Sequence, residues 1–580
     1  MPALKYLTTT VLTATLTTTA LSGDFGSANA PDAIGRLLPE GAWGVVYVSS
    51  FNHLLQEVMT VGAKVDPAAS QGLMMAPFLF GQLATVGEAQ DGRPAPPAQF
   101  QMDKPMAVAF GPNDPELGMP TMTFIMAADD AAEVQPAPYG MLGDMHTAHL
   151  PGSDYVSFST ASYTPQASPD ALVNNLFKAD LSIAIDQEAV VEAYADEIEQ
   201  LMVMMQSMSQ MAIEQGGDGN EAAKAMAASQ ANQMKQLEMV LHAFSDWSIG
   251  IDLDGTELDL LAQYVLSDSS PFPKSVAGDQ AAMTNLARRV PAGFPIQFVF
   301  GASALESWTD WSMVSYSGMY PATTQAKLDA LVPSWMACMN EIEIGVAGAM
   351  EFTDEGLGLI EVMGTKNAAT TLRHTETAVQ KFSDADLGIT FTDLPMVLND
   401  GDGYTMTLNM EAMMKAFSPA EMEWQQAGGE AMAAQIDAAT EAFIGGDSLE
   451  IRYIAHDDLI GVAVGNNKRL VGRTRALLRT GNDNAALTDA LDATYGGPTW
   501  AMSMNVGELV QKMYPMILNM AGPARVMMPP SLPESGPISI SFTGSVNEDG
   551  EQVRVQTDLG TWIDYGKKLQ QLAEAPDGAI

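Results

Sequence analysis

Five segments of this chain repeat one local order: a short alternating strand, a small capping residue, then an amphipathic helix. They run Val45 to Val58 (VVYVSSFNHLLQEV), Leu181 to Tyr194 (LSIAIDQEAVVEAY), Ile296 to Trp308 (IQFVFGASALESW), Tyr404 to Phe417 (YTMTLNMEAMMKAF) and Trp500 to Met513 (WAMSMNVGELVQKM). Ser50, Asp186, Asn409 and Asn505 stand where a side-chain oxygen can accept an orphan amide at a helix start. Gly301 takes that place in the third copy. Four and five residues later comes an apolar pair: Leu54-Leu55, Val190-Val191, Met413-Met414 and Leu509-Val510, with Leu305 alone in the third copy. Pro39/Gly41 and Pro291/Gly293 give two copies the same leading turn.

A β-hairpin follows each strand and helix. Trp247 to Leu253 alternates, turns at Asp254-Gly255 and returns through Leu258 to Tyr264. Ile342 to Val346 returns through Leu357-Leu359, Leu449 to Ile454 through Ile460 to Val464, and Ile538 to Phe542 through Val553-Val555. The first hairpin joins Met106 to Phe110 with Thr121 to Met126. Second helices are expected at Asn367 to Phe382 and Asn467 to Arg479. The fold class is therefore α+β: β-α-β-β-α units whose antiparallel hairpins pack on helices. The units span residues 31–180, 181–290, 291–395, 396–495 and 496–580, after a leader at 1–30. The first carries Pro/Gly-rich inserts, and the second an inserted helical hairpin, Gln187 to Gln215 with Asn220 to Phe244. Val191, Tyr194, Ile198, Leu201, Met205, Met208 and Ala212 form its expected seam.

The leader has Lys5, a Thr-rich apolar stretch from Tyr6 to Leu21, and small residues through Ala28-Asn29-Ala30. This is the plan of a secretory signal cut near Ala28 or Ala30, which puts the mature chain in the periplasm or outside the cell. No later window reaches the ~18 uninterrupted apolar residues of a spanning helix. With 71 acidic and 27 basic residues the net charge is −44. That excludes a broad nucleic-acid footprint and disfavours anionic membrane surfaces. The acids are dispersed over turns, caps and helix faces, as expected of a surface adapted to a saline exterior, where salt screens self-repulsion.

Methionine is the other unusual component, at 40 residues against 20 Phe. Met202, Met204, Met205, Met208 and Met211 cluster on the helical hairpin. Flexible, polarisable thioethers suit a surface that takes a hydrophobic ligand or polypeptide. They also suit Cu(I), though no His or Cys accompanies this group. One stretch breaks the acidity: Lys468, Arg469, Arg473, Arg475 and Arg479 are five of the 27 basic residues within twelve positions. Leu470, Thr474, Leu477 and Leu478 would bury the opposite face, so the basic side suits an anionic or acidic partner.

Catalytic patterns are missing: the chain has no H-E-x-x-H, no G-x-S-x-G and no P-loop. His146 and His149 are a close pair without an evident third ligand, and Cys338 is expected to be buried. Asp-rich stretches at Asn399 to Gly403, Asp252 to Gly255 and Asn547 to Gly550 read as turns before calcium loops, because the first and last ligand positions fail.

With the repeat established, the chain resembles large secreted bacterial repeat proteins of a domain-of-unknown-function type. Leu38-Pro39-Glu40-Gly41 with Val45 to Val48, Val290-Pro291-Ala292-Gly293, and Trp247 to Ser270 carry the resemblance. It implies an exported α+β repeat protein and transfers no catalytic residue. The expectation is a non-enzymatic binding or scaffold protein of the bacterial envelope with no cofactor, whose partner is a hydrophobic ligand or an envelope protein. Its rivals are an exported hydrolase-like enzyme with a site assembled from distant residues, and a Met-based copper-handling protein.

Overall fold

The computed structural model describes residues 28, 30–67, 84–87, 95–113, 119–137, 145–168, 170–216, 239–270, 272, 274–306, 309, 322–353, 355–385, 389–392, 403–409, 443–446, 448–482, 484–494, 496–521, 528–547 and 550–574. The chain mixes helices with strands that pair antiparallel throughout the described registers. It divides into two compact units: Met1–Glu199, Val240–Ser270 and Asp549–Ile563 make the first, and Gln200–Met239, Pro271–Glu548 and Asp564–Ile580 the second. Among the described residues no helix is long and apolar enough to cross a membrane.

In the first unit, helix α1 (Asp32–Arg36) leads to strand β1 (Gly44–Val48) and helix α2 (Phe51–Val65). Ser50 caps α2 by accepting from the His53 amide at 3.2 Å. Strands β2 (Met106–Asn113) and β3 (Pro120–Ala127) form one hairpin, β4 (His146–His149) and β5 (Tyr155–Ser159) another. Strand β6 (Leu181–Asp186) runs into α3 (Gln187–Ala193), where Asp186 accepts from the Ala189 amide at 2.8 Å. The chain continues as α4 (Ala195–Gly216), whose residues from Gln200 on belong to the second unit. Strands β7 (Phe244–Asp254) and β8 (Glu257–Leu266) form the hairpin expected at Asp254-Gly255. A late strand, Gly550–Asp558, pairs with β8. The registers give the order β4, β5, β3, β2, β1, β6, β7, β8 and Gly550–Asp558. Alternate residues share a sheet face, so Val45, Ala107, Ala109, Ile125 and Ala184 are buried together under Ile34, Leu37, Leu38, Leu172 and Leu176.

In the second unit the helices are α5 (Gln280–Ala287), α6 (Ala322–Met339), α7 (Ala368–Asp384), α8 (Arg469–Thr480), α9 (Ala485–Asp492) and α10 (Val506–Met520). The strands are β9 (Ile296–Gly301), β10 (Ile342–Thr353), β11 (Gly356–Thr365), β12 (Ile389–Thr392), β13 (Gly403–Asn409), β14 (Ser448–His456), β15 (Leu459–Val464), β16 (Gly497–Asn505) and β17 (Ser539–Asn547). Their order is β12, β13, β14, β15, β11, β10, β9, β16, β17. Helices α5, α8 and α9 cover one face, burying Met283, Leu286, Leu477, Leu478, Leu487 and Leu491 with Val299, Ala349, Ile360 and Val362. Helix α7 supplies Ala368, Leu372 and Val379 to a second core with Met406, Leu449, Ile460 and Val462. Asn505 accepts from the Glu508 amide at 3.1 Å and Asn367 from the Thr370 amide at 2.9 Å, which starts α10 and α7.

Each opening strand, β1, β6, β9, β13 and β16, pairs antiparallel with β2, β7, β10, β14 and β17 respectively. Both strands expected of Ile538 to Phe542 and Val553-Val555 form: β17 pairs with β16, and Gly550–Asp558 with β8. The single helix expected from Gln187 to Gln215 breaks at Tyr194, whose φ of −115° and ψ of 21° leave the helical region. The Tyr194 ring there lies edge-on to Trp43 at 6.0 Å. Residues 220–238 of the expected partner helix, the helix that Asn409 would cap and the Asn399 to Asp402 turn lie outside the described residues.

Two glycines separate a turn requirement from a packing requirement. Gly255 has φ +64° with open space where a Cβ would stand, whereas at Gly356, with φ +87°, a Cβ would sit 2.3 Å from the Gly445 nitrogen. Gly255→Ala is expected to cost about 1 kcal/mol, the ordinary left-handed penalty. Gly356→Ala should cost about 2–4 kcal/mol, because backbone must also move. Denaturant melts of both variants check this, and equal losses would contradict it.

Candidate functional site

The first unit holds a row of polar side chains on one sheet face. The registers set Asp252 on β7 opposite Asp259 on β8, and Asp259 opposite Gln556 on Gly550–Asp558. Leu181 pairs with Ile251, which brings Asp180, one residue earlier, beside Asp252. Like charges directly opposite in a sheet repel. Two devices relieve this row. Arg554 donates to both carboxylate oxygens of Asp259, with Nε at 3.0 and 3.1 Å and Nη2 closing a fork on Oδ2. Gln556 adds a bond to the same Oδ2 at 3.3 Å. Arg554 and Asp259 are 6% and 4% exposed, so this is a buried pair whose partners cannot be removed singly without stranding a charge.

The second device is a shared hydrogen bond between the Asp252 and Asp180 carboxyl groups. Burial first, then Asp180 and Asp259, push the Asp252 carboxyl up to about 6. Asp180 also accepts from the Leu253 amide at 3.0 Å, and its Oδ1 lies 3.3 Å from His53 Nε2 on α2. Glu57, one turn further along α2, accepts from the Gly255 amide at 2.7 Å. The row thereby ties the hairpin tip to the start of α2. The Asp252 to Gly255 stretch, weighed as a calcium loop in the sequence, is thus a hairpin turn in which the Asp252 carboxyl is engaged by Asp180. Among the described residues no group of three or more His, Cys, Asp or Glu is arranged to hold a metal ion.

The second unit buries a carboxyl of a different kind. Glu361 lies on β11 between Leu359 and Met363, opposite Val462, whose other neighbour is Tyr453. Burial raises Glu361 to about 7. Burial, then Glu361 and Cys338, raises Tyr453 as well. Cys338 is buried on α6, donates to the Ser334 carbonyl at 3.3 Å, and has its thiol pushed up to about 11 by burial.

Helix α4 divides the five clustered methionines. Met204 and Met211 are 53% and 50% exposed, beside Leu201 at 44% and Val203 at 58%. Met202 and Met205 are half-buried, and the Met208 side chain lies outside the described residues. At about 100° per residue, Leu201, Met204 and Met211 fall within one arc of about 80°. The expected seam residue Leu201 is therefore on an open face. A shallow groove of about 350 Å³ lies along α2, none of whose residues is buried, lined by Asn52, Leu55, Gln56, Met59, Thr60 and Ala63.

Lys468, Arg469, Arg473 and Arg479 are exposed and Arg475 is half-buried, while Leu470, Thr474, Leu477 and Leu478 of α8 are buried. The Arg473 guanidinium lies 4.4 Å over the Phe294 ring. His146 and His149 are exposed on β4, where residues three apart point to opposite faces. A metal shared between them is therefore not favoured by this geometry.

No family model matches the chain, and no curated protein does. A solved structure titled "Structure of crystal form III of TP0453" is 8% identical, the match covering 48% of this chain and 96% of that one at a TM-score of 0.21. At that score the likeness carries no argument.

Asp252 and Glu361 hold their protons more tightly folded than unfolded. Their contribution is therefore full below the unfolded values and lost as pH rises, from 3.8 to about 6 for Asp252 and from 4.5 to about 7 for Glu361. Asp252→Asn keeps a donor to Asp180, and Glu361→Met suits the apolar neighbours. Each variant should flatten the fall of stability in its own window. Each should exceed the wild type at pH 8 by about 1–2 kcal/mol. Urea melts across pH check this; wild type and variants declining in parallel would refute it.

Proposed function

We propose that this chain is an exported, non-enzymatic binding or scaffold protein of the bacterial envelope, which takes a hydrophobic ligand or polypeptide segment on helix α4. The observation that carries this reading is the open apolar arc of Leu201, Met204 and Met211 on one helix. Exposed large apolar side chains gathered in one place mark interaction surfaces more often than scattered ones do. Methionine adapts such a surface to ligands of varied shape. The leader sequence at 1–30 supports export.

In the same proposal the chain is a tandem of five β-α-β-β-α units. Support comes from the five opening strands, each paired antiparallel with the first strand of its hairpin. The Ser50, Asp186 and Asn505 caps add to it.

A second reading has one observation in its favour. Asp180, Asp252 and His53 converge from three elements, as a hydrolase-like enzyme with a site assembled from distant residues requires. The two readings differ in what removes function. Nile red and a C16 fatty acid should bind the mature chain, and Leu201→Ser/Met204→Ser/Met211→Ser should weaken that binding at least about tenfold, as loss of three apolar contacts predicts. Asp252→Asn should leave it unchanged. Equal binding by the triple variant and the wild type removes the leading reading. Turnover of an ester or glycoside that Asp252→Asn abolishes establishes the second. A Cu(I) titration in which the triple variant alone loses metal would favour the copper alternative.

A further inference from the structure

We propose that the basic face of α8 docks a short carboxylate-rich segment of a partner polypeptide. The face stands in two rows. At about 100° per residue, Lys468, Arg475 and Arg479 fall along one line of the helix, and Arg469 with Arg473 along another. Both lines lie outside the arc of the buried Leu470, Thr474, Leu477 and Leu478, the second of them flanking it. The ridge runs about 16 Å, from eleven residues at 1.5 Å each. Arg288, exposed at the end of α5, extends it: its carbonyl accepts from the Asn482 amide just past α8. Arg289 beside it donates to the Leu477 and Leu478 carbonyls at 3.3 and 2.6 Å, which holds this end in place.

Among the described residues, Lys468, Arg469, Arg473 and Arg475 enter no ion pair. This is unexpected in a chain with 71 acidic and 27 basic residues, where a carboxylate is the commonest available neighbour. Arg475 also keeps its Nε buried without a hydrogen-bond partner. The Arg473 guanidinium lies over the Phe294 ring, and its nitrogens suit a fork onto a carboxylate.

The occupant follows from charge and shape. Arginines one helical turn apart match carboxylates one turn apart on a helix, or two residues apart on a strand, at about 6 Å. An anionic bilayer is disfavoured on two counts. The exposed positions between the basic residues are Gly472 and Ala476, with no large apolar side chain to insert. The charge of −44 also repels an anionic leaflet. A second copy brings another −44 with it, whereas a short acidic segment brings only its own few charges.

Fluorescein-labelled octaglutamate titrated into the full chain tests this by anisotropy. It should bind at about 50 mM salt and weaken at least about tenfold at about 500 mM, as screened charge contacts do. Arg469→Glu/Arg473→Glu should lose at least about tenfold with an unchanged melting curve. Lys468→Glu/Arg469→Glu, which leaves the Phe294 stack in place, should lose binding comparably and guards against misfolding of the first variant. No binding at low salt, or equal binding by wild type and both variants, overturns the proposal. So does preferential binding to phosphatidylglycerol vesicles, which assigns the face to lipid. Salt-sensitive self-association that both variants abolish in sedimentation assigns it to a second copy and equally overturns it.

Discussion

Backbone pairing between an opening strand and the first strand of its hairpin is the interaction on which the rest of this protein depends. It recurs at β1 with β2, β6 with β7, β9 with β10, β13 with β14 and β16 with β17. Such pairing uses amides and carbonyls that every residue carries, so it tolerates wide variation in side chains. What it requires is a chain that returns, and a helix opens that return after β1, β6 and β16. A cap at the strand's end, such as Asp186 or Asn505, starts the helix one residue after pairing stops, and Ser50 does so three residues after Val48. Side chains are then free to specialise by face, with small and branched residues in the cores.

A chain this acidic must decide what to do with the few carboxyl groups that its sheets enclose. The two units answer differently. In the first, Asp259 is neutralised by the fork of Arg554, and Asp252 shares a hydrogen bond with Asp180. The outcome is a fully engaged row that ties four strands and the start of α2 together. In the second, Glu361 sits among Leu359, Met363 and Val462 and responds by holding its proton to about 7. Asp252 and Glu361 both make stability depend on pH in the sense opposite to ordinary acid unfolding.

Much of the local structure was legible in the residues. Period-two alternation broken at Asp254-Gly255 or Asp457-Asp458 identifies a hairpin, because alternate side chains must share a face and the turn must reverse the chain. The basic helix was legible too, since Leu470, Thr474, Leu477 and Leu478 mark its buried side by spacing alone. Within the Met cluster, spacing grouped five residues that the helix then divided: Met204 and Met211 are open, Met202 and Met205 half-buried. The Asp180, Asp252, Asp259 and Arg554 row was missed. One signal for part of it was present, because a hairpin turning at Asp254-Gly255 places Asp252 and Asp259 opposite each other. Nothing local pointed to Arg554, which lies 295 residues from Asp259.

By itself the sequence marked many of the strands, caps and hairpin turns, because these depend on neighbours within a few residues, though not the break at Tyr194 or the hairpin of β4 and β5. Only the tertiary structure decided which strands lie side by side, and so which charges meet. Strand Gly550–Asp558, whose Val553-Val555 segment the sequence marks as a strand, takes β8 as a partner that no local pattern names, and with it Arg554 reaches Asp259. The physical reason is that backbone hydrogen bonds are chemically alike along every strand edge. Partner choice is therefore made by the summed fit of side chains from distant segments, a property no single window of the chain contains.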